Sequence, residues 1–174
     1  MLNRLSVRPR PGNPRQGLLQ AGQRVIRCAL GKGGIGIGKR EGDGATPRAS
    51  MRLRGVYVRR DGGLAGVATG LPALPITETL GWCDAPADRN YNRPVRLPYP
   101  ASHERMRRAD ALYDAVIVLD WNIVPRRRNC GSAIFFHLAR PGYMPTEGCV
   151  AISRRDMEWL LPHLSARTVL TVSS

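Results

Sequence analysis

Glycine and proline punctuate this chain so densely that no long helix fits in it. There are 19 Gly and 14 Pro among 174 residues, with few aromatics. Proline removes a backbone donor and glycine adds chain entropy, so apolar runs are confined to short stretches between turns. Short strands suit those stretches. The clearest are Ala115 to Trp121 (AVIVLDW) and Gly131 to Leu138 (GSAIFFHL), which a hairpin through Val124-Pro125 and Arg126 to Arg128 would join. Gln23 to Leu30, Met51 to Arg59 and Arg167 to Val172 are further candidate strands. One helical signature follows residue 150. Ser153 and Asp156 have capping-box spacing, and Met157, Leu160, Leu161 and Leu164 fall on one stripe until Pro162 bends it. Ser102 to Ala111 reads as a second short helix with Ser102 as its cap. The expected class is mainly β with one or two short helices.

The length favours one domain, expected to be a monomer. Residues 1–22 are rich in Arg, Pro and Gly without periodicity and read as a flexible basic arm, leaving 23–174 as the folded domain. Gly31 to Pro47 reads as loop and Gly62 to Asn92 as irregular. The prolines between Tyr91 and Pro100 exclude a central strand there. The net charge of +14 suits polyanions or acidic surfaces, or reflects a solvated arginine-rich exterior. No basic stretch is interleaved with aromatics, so a nucleic-acid partner is not expected. No apolar run is long enough for a membrane span, and the first twenty residues lack the apolar core of a signal peptide.

Two glycine patterns invite a nucleotide reading. Gly31, Gly33 and Gly36 satisfy GxGxxG, and Gly33, Gly38 and Lys39 satisfy part of a P-loop. Both need a helix next, and Arg40 to Pro47 cannot supply one. Cys28, Cys83, Cys130 and Cys149 form no CxxC pair, which argues against zinc on Cys130, His137 and Cys149. No metal or cofactor is expected.

The strongest chemical signal joins the end of one strand to a turn. His137 closes the apolar run GSAIFFH, and Thr146-Glu147-Gly148-Cys149 follows after Pro141, Gly142 and Pro145. The chain can thus return Cys149 beside His137. A thiol next to an imidazole can give a thiolate near neutral pH, the nucleophile of acyl transfer. Gly148 permits a sharp turn whose amides, at Gly148 and Cys149, can face a developing oxyanion. His103 and His163 lie in less suggestive settings.

These residues also carry a resemblance. GSAIFFH, then PTEGCVAIS and a short helix, resembles the C-terminal half of L,D-transpeptidase (YkuD-like) catalytic domains. Thr46-Pro47 resembles the start of that family's TPxG turn, and GWCDAPADRNYN fits a divergent branch. The resemblance spans roughly Val25 to Val172. It implies a β-sandwich, Cys149 as nucleophile, His137 as its activating base and Gly148 as the glycine before the nucleophile. Thr146 takes the Ser/Thr place of the SHGC motif. It further implies attack on a peptidoglycan stem peptide, a thioester, and resolution by the amine of a second stem, in the periplasm or cell envelope. Thr146, Arg140 and Arg154 are the candidate substrate-binding residues, the arginines for stem carboxylates. Glu147 stands at the motif's second histidine, Ala151 at its Asn or Arg, and Ala49 at the glycine of TPxG. Two other readings stay open: an L,D-carboxypeptidase in which water resolves the thioester, and a non-catalytic basic module that binds cell wall or nucleic acid.

Overall fold

A computed structural model describes residues 1–174. In chain order the strands are β1 (Arg4–Arg10), β2 (Asn13–Ala21), β3 (Arg24–Ala29), β4 (Ile35–Gly36), β5 (Thr46–Pro47), β6 (Ser50–Val58) and β7 (Ala73–Pro75). They continue as β8 (Leu80–Cys83), β9 (Arg93–Arg96), β10 (His103–Arg105), β11 (Ala115–Leu119), β12 (Phe135–Leu138), β13 (Val150–Ile152) and β14 (Val169–Val172), with helix α1 (Arg154–Leu160) before the last. The main sheet runs β11-β12-β13-β3-β2-β1-β14-β6-β7, and β11 also pairs with β6. That extra pairing closes the sheet into a ring, with β7 added to the edge of β6. Closure removes the exposed edges that a sheet of short strands would otherwise leave. The mainly β expectation holds.

Alternation decides what fills the ring. Leu5 and Val7 of β1, Leu19 of β2, Met51 and Leu53 of β6, and Leu170 of β14 are buried, while Arg4, Arg8, Arg52 and Arg54 between them are exposed. Phe136, Leu138, Val150 and Ile152 join the same core from the far side. Met157, Leu160, Leu161 and Leu164 add to it from α1 and the turn after it. The helix starts as its capping box requires: Ser153 Oγ accepts the Asp156 N–H at 3.1 Å and donates to Asp156 Oδ2 at 2.6 Å.

Three expectations are corrected. Residues 1–22 are not a flexible arm, because β1 and β2 form a hairpin in the middle of the main sheet. Composition hid the period-two pattern of Arg4-Leu5-Ser6-Val7-Arg8, which buries one face and solvates the other. Ser102 to Ala111 is not a helix. It holds β10, which pairs with β8 and sets Glu104 opposite Trp82. Ser102 had no apolar stripe behind it, only Met106 among Arg105, Arg107 and Arg108, so little burial was on offer to offset the cost of starting a helix. The stretch Gly62 to Asn92, read as irregular, contains β7 and β8. Proline-containing β9 lies at an edge, as its sequence demanded.

The three-stranded sheet β10-β8-β9 covers the outer wall of the ring. Trp82, Met106 and Tyr113 pack there against Val116, Val118, Phe135 and Cys149. Trp82 meets Phe135 edge-on, centroids 5.1 Å apart. Asn92 ties this layer down. Its Oδ1 accepts from Trp82 Nε1 (3.0 Å) and Ala133 N–H (3.1 Å), and its Nδ2 donates to the carbonyls of Trp121 (3.1 Å) and Asn122 (2.8 Å).

Leu5→Ala should lower the unfolding free energy by about 2–5 kcal/mol in a denaturant titration, because it opens a cavity in the core. Unchanged stability would mean that β1 is dispensable. Asn92→Ala strips partners from several buried groups at once and should cost about 2 kcal/mol or more, with Asn92→Asp retaining part of the network.

Candidate active site

Parallel pairing of β12 with β13 assembles the site. Phe136 is level with Val150, and His137 with Ala151. Level residues share a face, so Phe136 and Val150 point into the ring while His137 and Ala151 point out. Cys149, one residue before β13, lies on the outer face as a diagonal neighbour of His137. Such diagonals are ~7–8 Å apart between backbones, within side-chain reach of a common point. Both residues line a cavity of about 400 Å³. The fold therefore brings His137 and Cys149, the pair expected from their spacing, to one site.

The turn that presents Cys149 is held from two sides. Thr146 Oγ1 donates to the Cys149 carbonyl at 2.7 Å and accepts the Gly148 N–H at 3.1 Å. The Thr146 N–H reaches the Leu30 carbonyl at 2.9 Å, and Lys32 N–H reaches the Thr146 carbonyl at 2.8 Å. Gly148 sits at φ +135°, and a Cβ there would lie 2.9 Å from the Ala45 carbonyl oxygen. Thus both conformation and space require glycine. Gly31 packs behind it: a Cβ on Gly31 would meet the Gly44 oxygen at 2.1 Å and Gly148 Cα at 3.0 Å. Thr46 of the Thr-Pro pair is fully buried, and its hydroxyl accepts the Gly31 N–H at 2.8 Å. The glycine loop thus buttresses the cysteine turn. It also carries Lys39, almost fully buried and paired with Asp43 at 2.5 Å, to the cavity wall beside Gly148.

The resting charge state differs from the expected ion pair. Cys149 Sγ donates to the Ala133 carbonyl at 3.3 Å and accepts the Phe135 N–H at 3.4 Å, with no hydrogen bond to His137. His137 Nδ1 donates to its neighbour's carbonyl, Leu138 O, at 2.9 Å. A carbonyl only accepts, so the proton is on Nδ1 and the lone pair on Nε2. Burial pushes the Cys149 thiol up to about 12, helped by the nearby charge of Glu104, while Phe135 N–H and Lys39 pull the other way. Burial also pushes His137 down to about 4, against the Leu138 hydrogen bond. Desolvation thus outweighs the attraction that proximity would supply, and the free protein holds a neutral thiol beside a neutral imidazole.

Of the two amides expected to face an oxyanion, the Gly148 N–H is taken by Thr146. The Cys149 N–H has no partner within the protein. Thr146 also lines the cavity, but its hydroxyl is committed to shaping the turn. Arg140 is exposed, lines the cavity and forms no ion pair. Arg154 does not reach this cavity. Its guanidinium is 2.5 Å from Asp114, beside a neighbouring cavity of about 290 Å³ that shares Leu112 and Arg140 with the first.

Composition gave no sign of three other groups on the wall. Tyr113 stands edge-on to the His137 ring at 5.1 Å and donates to the half-buried Glu104 carboxylate at 2.5 Å. Burial raises the Glu104 carboxyl above the usual range. Arg108 lies over Tyr113, 5.1 Å from its centroid, and is held by Asp110. His103, His163 and Cys130 are not part of the cavity.

The family model for the L,D-transpeptidase catalytic domain (YkuD) matches residues 13–172. No curated protein matches the chain significantly. Among solved structures, the chain is similar to L,D-transpeptidase 1 of Mycobacterium tuberculosis. That likeness has 11% identity and a TM-score of 0.43, over 98% of this chain and 62% of that one. It is similar also to an L,D-transpeptidase from Mycobacterium smegmatis, at 12% identity and a TM-score of 0.42 over 98% and 58%. The chain spans about three-fifths of the length of these proteins. On the family match across residues 13–172, the chain belongs to the L,D-transpeptidase catalytic domain family.

Proposed function

We propose that this chain is a peptidoglycan L,D-transpeptidase that works through a Cys149 thioester. The observation that carries the reading is the shared outer face of β12 and β13, where the cysteine and a histidine with its lone pair on Nε2 line one cavity. Entry of a stem peptide displaces water, and the thiol turns from the Ala133 carbonyl toward His137. Nε2 takes the thiol proton as sulfur attacks the peptide carbonyl. The Cys149 N–H receives the oxyanion, with the Lys39 charge close by; one well-placed donor is typically worth about 2.7–4 kcal/mol. The carbon–nitrogen bond breaks, and the leaving amine takes the proton from the imidazolium. The amine of a second stem then attacks the thioester, gives its proton to Nε2, and the thiolate recovers it. No cofactor enters these steps.

The cavity wall suits a peptide that carries both charges. Arg140 stands as the free carboxylate partner, and Glu104 and Asp84 are acidic groups on the same wall. Arg154 drops out of the proposed binding set because of its pairing with Asp114. With that substrate, the protein works in the cell envelope.

Incubation with purified stem tetrapeptides should give cross-linked dimers by mass spectrometry and a stem fragment attached to Cys149. Cys149→Ala should abolish both, and His137→Ala should slow product formation by about 100-fold or more. Trimmed monomers alone would make it a carboxypeptidase, and activity in Cys149→Ala would end the proposal.

In the free protein, iodoacetamide should modify the less buried Cys130 before Cys149, because the Cys149 thiol stays protonated near neutrality. Rapid Cys149 labelling at pH 7 would contradict the neutral pair. His137 gives a stability signature of definite sign. Its folded value lies below the unfolded one, so its contribution is present above pH 6.5 and is lost as pH falls through about 4. The loss should be on the order of 3 kcal/mol, and His137→Gln should remove that part of the acid sensitivity.

A further inference from the structure

We infer that the side of the ring opposite the cysteine cavity is a docking face for an anionic lipid bilayer. The outer surfaces of β1, β14 and β6 present Arg4, Arg8, Arg52 and Arg54, all exposed and none in an ion pair. Register sets them as a two-dimensional grid. Arg4 and Arg52 flank Val169, one from each neighbouring strand. Arg8 lies about 13 Å along β1 from Arg4, and Arg54 about 7 Å along β6 from Arg52. Arg10 and Arg27, both gripping Gln16, extend the basic surface toward β2 and β3.

The complementary charge is missing from this side. No Asp or Glu occurs in β1, β2, β3, β6 or β14, and the first acidic residue of the chain is Glu41. Asp120, which accepts the Arg52 backbone N–H at 2.8 Å, borders the patch. Elsewhere acids do hold arginines, as Asp61, Glu78 and Asp110 hold Arg107 and Arg108. This wall therefore carries positive charge that no acid of its own strands opposes.

Three features favour a bilayer over a nucleic acid. The face is the outside of a closed sheet, with only a hollow of about 70 Å³ beside Arg8, Leu18 and Val25, and it offers no helix or loop to enter the groove of a duplex. Its neutral positions mix aliphatic and small polar groups, with Val25 57% exposed, Leu18 and Val169 half-buried, and Ser50 bonded to Thr171, and the nearest aromatics, Tyr143 and Trp159, lie beneath Arg27 and Arg24. A grid of arginines engages many headgroups of a plane at once, where a linear polyanion would follow one row. Orientation adds a functional consequence. β1 lies four strands from β12 whichever way the ring is followed, so docking through β1 turns the cavity away from the membrane.

Co-sedimentation of the full chain with vesicles tests this. The protein should bind vesicles of mixed phosphatidylcholine and phosphatidylglycerol at low salt, release at high salt, and ignore pure phosphatidylcholine. The combined variant Arg4→Gln, Arg8→Gln, Arg52→Gln, Arg54→Gln should bind at least about 100-fold more weakly, since each arginine near an anionic surface contributes several-fold. Its thermal unfolding and its turnover of soluble stem peptides should match the wild type, and Cys149→Ala should bind vesicles normally. Full vesicle binding by the arginine variant would overturn the inference. So would retention of duplex DNA or polyglycerol phosphate by a protein that ignores the anionic vesicles.

Discussion

The parallel pairing of β12 with β13 is the constraint on which the site depends. A one-residue slip of either strand would turn its reactive side chain into the ring and pull its core residue out of it, so burial on the inner face fixes the chemistry on the outer one. The register is held from both ends. Phe136, Leu138, Val150 and Ile152 are locked in the core, and the Thr146 turn is tied to Leu30, Lys32 and the glycine loop. Nothing in this arrangement asks the two reactive side chains to stabilise the fold by bonding to each other.

That separation explains the neutral pair. The cover of Trp82, Met106 and Tyr113 that shapes the cavity also strips water from the thiol, and desolvation exceeds any gain from forming an ion pair without substrate. The imidazole is oriented instead by the Leu138 carbonyl, one residue along its own strand. A backbone acceptor fixes the tautomer without adding a negative charge that would raise the histidine's affinity for protons. The activated thiolate is thus a feature of the reacting complex and not of the resting protein.

Much of this was legible in the sequence because short-range pattern carried it. AVIVLDW and GSAIFFHL announced their strands, Ser153 with Asp156 announced a helix start, and Gly148 before Cys149 announced a sharp turn, which adopts a φ of +135°. Composition misled at the N-terminus, where arginines and prolines masked the inward Leu5 and Val7. Long-range partners left no local trace. Tyr113, Glu104 and Arg108 reach the cavity only because β10 and β11 converge there, and Asn92 becomes a hub only once three separate segments meet it. Lys39 resembled part of a phosphate loop, and only the folding back of Gly31 to Pro47 reveals it as a charge beside the cysteine turn. Arg154 followed the cysteine closely in sequence, yet α1 turns it to Asp114 and out of the cavity.

The protonation state of His137 in the free protein at pH 7 tests the central claim most directly. Nitrogen NMR of the imidazole should report one protonated nitrogen, Nδ1, and a bare Nε2. Two protonated nitrogens that lose a proton when Cys149 is replaced by alanine would mean a standing thiolate–imidazolium pair, and would contradict the account.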